Sequence, residues 1–128
     1  MRRHLRAAVP FTAPLSLMAL IYAFSAMPSD GTDHGLAMLI ARKATHFGEY
    51  FALTGLWWWA LRTQLGSRRA LLPALGIAIG YAITDELHQT FVDGRVGAWR
   101  DVLIDSAGAL AAAWTIRRAL NPTAVGRS

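Results

Sequence analysis

Residues 7–27 read AAVPFTAPLSLMALIYAFSAM, a run with no charged side chain and no histidine. A helix of that length is long enough to span the hydrocarbon core of a bilayer, which takes about 20 residues. Three more uncharged runs follow, Tyr50 to Leu61, Ala70 to Thr84 and Ser106 to Ile116. The chain has 128 residues, 54% of them apolar and only 16% charged, so it is one domain at most. So little polar surface cannot wrap that many apolar runs in water, and lipid is the economical solvent for them. The expected fold is all-α: an integral membrane four-helix bundle with both termini inside and helices at about 7–27, 45–62, 70–91 and 98–119.

Local signals set those bounds. Pro10 and Pro14 fall in the first turns of the first helix, where a missing N–H costs least. Pro28-Ser29-Asp30-Gly31 ends it. His34 to Ala41 is too short to span and reads as an interfacial helix. Trp57-Trp58-Trp59 near the end of the second helix suits the headgroup level. Gly76 and Gly80 form a small-xxx-small pair on the third helix, which favours close backbone approach. The basic start, Met1 to Arg6, also resembles a signal peptide with Ala23 and Ser25 at a cleavage site. The run exceeds the usual h-region of about 7–15 residues, which favours an uncleaved first helix.

The net charge of +5 does not point to nucleic acid, because most basic residues flank the apolar runs. With the N-terminus inside, one side holds Arg2, Arg3, Arg6, Arg62, Arg68, Arg69, Arg117, Arg118 and Arg127. The other holds Arg42, Lys43, Arg95 and Arg100. This asymmetry puts both termini in the cytoplasm. The chain has no cysteine, which excludes disulfides and thiolate metal ligands.

Ionisable residues inside spans cost about 2.5–3.5 kcal/mol each for Asp, Lys or Arg at a helix centre, so they need a reason. Here they converge. Lys43, His46 and Glu49 open the second helix, Asp85, Glu86, His88 and Gln89 close the third, and Asp101 and Asp105 open the fourth. Alternating topology brings all three groups to the outer leaflet. Lys43, His46 and Tyr50 share a helix face at i, i+3, i+7. Asp85, His88 and Gln89 share another, as do Asp101 and Asp105 with Gly108 beyond them.

Several readings fit this constellation. A purely structural network would pair Asp85, Asp101 and Asp105 with Lys43, Arg95 and Arg100. A metal site would use His46, Glu49, Asp85 and His88, two imidazoles with two carboxylates. No cofactor is expected otherwise. An embedded hydrolase or transferase would use His46 or His88 with Asp85 or Glu86 as its acid–base pair. A polar pocket open to the outer leaflet would take an anionic amphiphile, with Lys43 and Arg95 receiving the headgroup. Its ligand residues would be Lys43, His46, Tyr50, Asp85, Glu86, Gln89, Arg95, Asp101 and Asp105. The pocket needs the fewest assumptions. A structural subunit would instead present these groups to a membrane protein partner.

At these positions the chain resembles the VanZ-like membrane proteins. The likeness rests on Lys43-Ala44-Thr45-His46-Phe47-Gly48-Glu49-Tyr50, on Asp85-Glu86-Leu87-His88-Gln89-Thr90-Phe91, on Gly94-Arg95, and on Asp101 through Gly108. It covers residues 41–113 in order. The resemblance places the family's polar positions on Lys43, His46, Tyr50, Asp85, Glu86, Gln89, Arg95, Asp101 and Gly108. Asp93 stands where the family often has proline, and Asp105 where asparagine is usual. The resemblance implies a small bacterial multi-pass protein of the plasma membrane. The family takes its name from a protein linked to teicoplanin resistance. The implied partner is a membrane lipid or a lipid-linked envelope component, and no reaction is implied.

Overall fold

The computed structural model describes residues 1–27, 35–94 and 99–122. Four helices fill them: α1 (Arg2–Ser25), α2 (Gly35–Leu65), α3 (Leu71–Gln89) and α4 (Trp99–Leu120), with no strand among the described residues. The expected all-α class and helix order hold. Two boundaries differ. α1 begins at Arg2, so Pro10 and Pro14 lie inside it rather than in its first turns. Leu36 to Ala41 is not a separate interfacial helix but the start of α2, which runs 31 residues, roughly 46 Å. No proline interrupts it, and Arg42 and Lys43 are good helix formers that mark a polar level rather than a break. Gly66, at φ +83°, ends α2 with its N–H on the Arg62 carbonyl at 3.0 Å. That left-handed turn is one glycine adopts without strain.

Side-chain contacts give the topology. Ser25 meets Gln89 and Met18 meets Tyr81, so α1 and α3 run parallel. Lys43 meets Asp101 and His46 meets Asp105, so α2 and α4 run parallel. Phe11 packs against Trp57, which sets α1 antiparallel to α2. α2 and α3 each touch the other three helices, while α1 and α4 share no contact among the described residues. The cross-section is therefore a diamond, with α1 and α4 at its far corners.

The core is built largely from small residues. Ala74, Ala78 and Ala82 of α3 and Ala109, Ala112 and Ala113 of α4 are buried, around Tyr50 and Leu53 of α2 and Ile21 of α1. Large apolar side chains face outward instead, among them Leu20 and Phe24 of α1, Phe51 of α2, Leu72 and Leu87 of α3 and Trp114 of α4. The close-packing stripe on α3 is Ala74-Ala78-Ala82, not Gly76 and Gly80. Both glycines are exposed, with open space where a Cβ would stand. Among the described residues, one helix, Arg2–Ser25, is long and apolar enough by length and composition to cross a membrane.

Candidate functional site

Two helix ends and two N-terminal halves meet at one level of the bundle. Here the C-terminal turns of α1 and α3 join the N-terminal halves of α2 and α4. The shared level is polar. Ser25, Asp85, Glu86, Gln89 and Asp105 are all buried there, although such residues are seldom buried without partners.

On the α2–α4 side the contacts form two rungs. Lys43 pairs with Asp101 at the rim, where their side chains keep 36% and 20% of their exposure. One turn deeper, His46 Nδ1 lies 3.3 Å from Asp105 Oδ1, and Asp105 is fully buried. The separation is within ion-pair range, but the alignment is off the hydrogen-bond axis. Tyr50 lies a turn below, fully buried, and its hydroxyl has no hydrogen bond among the described residues. Such close approach is possible because Gly108 of α4 lies against the Phe47 backbone of α2.

On the α1–α3 side, Gln89 is the joint. Its Nε2 donates to Ser25 Oγ at 3.5 Å and to Asp85 Oδ2 at 3.3 Å. Tyr81 donates its hydroxyl to the Met18 carbonyl at 2.6 Å, one layer deeper. His88 stacks on Tyr22, with ring centroids 4.6 Å apart. It therefore points toward α1 rather than joining His46.

Between α1 and α2 lies a cleft of about 360 Å³. Ile21, Phe24 and Met38 form apolar walls, and Ser25, Arg42, Thr45, His46, Glu49 and Gln89 supply the polar lining. His46 is the link between the two halves. Its Nδ1 is buried toward Asp105, so the remaining ring edge is what the cleft sees.

His46, Glu49 and Gln89 line the cleft. Lys43, Tyr50, Asp85, Asp101 and Asp105 stand behind or beside it. Lys43 is engaged by Asp101, so the cation in the cleft is Arg42, which is absent from the site residues expected from sequence. Arg95 lies outside the described residues. Glu86 is buried. Among the described residues no three His, Asp or Glu stand close enough together to hold a metal ion, so His46, Glu49, Asp85 and His88 do not form one ligand set.

Ser25 and the whole of α1 were missed as part of the site. The signal was there: in an alternating bundle the last turn of the first helix must meet the last turn of the third.

No curated protein and no solved structure matches the chain. The family model VanZ/LLP1 matches residues 4–120, which takes in all four helices and the polar level they share. The chain belongs to the VanZ/LLP1 family.

Proposed function

We propose that this chain is a multi-pass plasma-membrane protein that binds the anionic headgroup of a lipid-linked envelope component in the α1–α2 cleft. Its physiological expression would be an effect on glycopeptide susceptibility, teicoplanin included. The carrying observation is a single concavity that joins the Arg42 guanidinium and the His46 edge to the apolar side chains of Ile21, Phe24 and Met38. An amphiphile has the same two halves. A guanidinium matches phosphate oxygens bidentately, which a carboxamide cannot do.

Membrane insertion is supported by the inverted packing. Alanines lie inside and Leu20, Phe51, Leu72 and Trp114 outside. So many large apolar side chains left exposed are a liability in water, whereas small residues are what close helix packing in lipid selects. The basic residues at the opposite end from the cleft support a cytoplasmic side for both termini. The absence of native cysteine makes this testable. Arg69→Cys should react with an impermeant maleimide only after lysis, and Asp93→Cys in intact cells. Labelling of both from one side would overturn the orientation.

Binding is tested with a fluorescent polyprenyl phosphate in zwitterionic bicelles. Arg42→Gln should weaken it by roughly tenfold to a hundredfold, the worth of one charge-assisted contact of about 1.5–3 kcal/mol. Arg100→Gln, at a residue outside the cleft lining, should bind as the native chain does. Equal affinity of native and Arg42→Gln protein would sink the reading.

A second reading draws on His46 and Asp105. A buried carboxylate that holds one imidazole nitrogen leaves the other edge free to take a proton from a ligand hydroxyl or water. It predicts a new product when the purified chain is incubated with envelope lipids, and none with His46→Gln.

A further inference from the structure

The far end of the bundle has a second concavity. It lies between α3 and α4 and has a volume of about 550 Å³. Leu71, Leu72 and Leu75 of α3 form one wall, and Leu110 and Trp114 of α4 the other. Arg68 and Arg117 stand at its head with Asn121. Leu72, Leu110 and Trp114 are among the large apolar side chains the fold leaves exposed.

Charge is segregated along the bundle. Every described acidic residue, Glu49, Asp85, Glu86, Asp93, Asp101 and Asp105, belongs to the cleft end. The arginines at the start of α1, the end of α2, the α2–α3 turn and the last turn of α4 belong to the other. The groove therefore has a cationic head and no described acid near it. The head is also held in place. Arg68 Nη2 donates to Asn121 Oδ1 at 2.9 Å, which ties the turn before α3 to the end of α4. Trp58 Nε1 donates to the Ser67 carbonyl at 2.8 Å, which anchors the same turn to α2. Arg118 lies over the Trp114 ring, 5.0 Å from its centroid. α3 begins at the groove without a side-chain cap, and the positive end of a helix favours an anion.

We propose that this groove binds one anionic phospholipid, with its phosphate on Arg68 and Arg117 and an acyl chain along the leucines and Trp114. A zwitterionic lipid offers the same chain, but its own cation opposes the two arginines. A soluble phosphate ester offers the anion but nothing for the apolar walls. The site is independent of the α1–α2 cleft and lies at the opposite end of the bundle.

The full chain is reconstituted in phosphatidylcholine nanodiscs that contain bromine-labelled phosphatidylglycerol or bromine-labelled phosphatidylcholine. Quenching of Trp114 is read as the difference between the native protein and Trp114→Phe. Phosphatidylglycerol should quench at a mole fraction roughly twenty-five-fold lower than phosphatidylcholine, from two arginines each contributing about fivefold. Arg68→Gln with Arg117→Gln should abolish that preference at unchanged helix content, while lysine at both positions keeps most of it. Should the double variant misfold, Arg117→Gln alone carries the expectation of a roughly fivefold loss. Equal quenching by the two lipids in the native protein would overturn the proposal. So would a preference that survives in the folded glutamine variants, or displacement by glycerol phosphate.

Discussion

Gly108→Leu should leave no folded bundle, and Gly108→Ala should already cost about 1–3 kcal/mol, the usual penalty for overpacking. The reason is where the new atom would go. A Cβ at position 108 would sit 3.0 Å from the carbonyl carbon of Phe47 and 3.1 Å from its Cα, and closer still to the carbonyl oxygen. Those are backbone atoms in the middle of α2, so no side chain can rotate away. α4 would have to move as a rod. That movement would pull Asp105 from His46, one turn above, and Asp101 from Lys43 beyond it. A single methyl group therefore acts on both rungs. Gly76→Ala and Gly80→Ala supply the contrast, since a Cβ at either meets nothing within 4 Å. They should be neutral or slightly stabilising, as alanine is the better helix former. Thermal unfolding in detergent, followed by helix content, compares the three. A Gly108→Ala protein as stable as the native one would mean that α2 and α4 are not in backbone contact.

Much of this was legible from spacing alone. The stripe Lys43, His46, Tyr50 and the stripe Asp101, Asp105, Gly108 were each visible as one helix face, and the structure turns those faces toward each other. Spacing reports a face but not the rotation of the neighbour that meets it. For that reason the partners of Lys43 and His46, and the committed state of Lys43, were out of reach. On α3 two small-residue series compete, Gly76-Gly80 and Ala74-Ala78-Ala82. The second continues at i+3 and i+4 into Asp85 and Glu86 and then Gln89, while the first continues into Ile83, Thr84 and Leu87. Buried polar groups must share the packed face, so the alanine series was the one to choose. The unbroken α2 was harder. Arg42 and Lys43 look like the flank of a span, and their helix propensity and the lack of a proline, which let the helix pass through them, are weak signals beside that charge.

Replacing His46 by leucine should destabilise the bundle by about 3–5 kcal/mol, and replacing Asp105 by leucine should cost clearly less. The pair is symmetric in distance but not in chemistry. Without His46, a fully buried carboxylate is left with no neighbouring cation in its layer among the described residues and must stay charged in a dry site or take up a proton, the costly way to break a buried pair. Without Asp105, the imidazole stays as a partly exposed side chain on the cleft, a position that a neutral ring can occupy at little cost. The double variant, His46→Leu with Asp105→Leu, removes both the charge and its burial cost. It should therefore recover most of the stability lost in His46→Leu. The rim pair behaves differently. Lys43 and Asp101 remain in contact with solvent, so Asp101→Ala should cost about 0–1 kcal/mol. A double-mutant cycle on unfolding in detergent measures all four species. Equal costs for the two single leucine variants, with no recovery in the double, would show that Asp105 is not an ion held by His46. If recovery is seen, the double variant has a further use. It is a folded bundle whose cleft has lost the His46 edge, so weaker polyprenyl phosphate binding would then belong to the site and not to the fold.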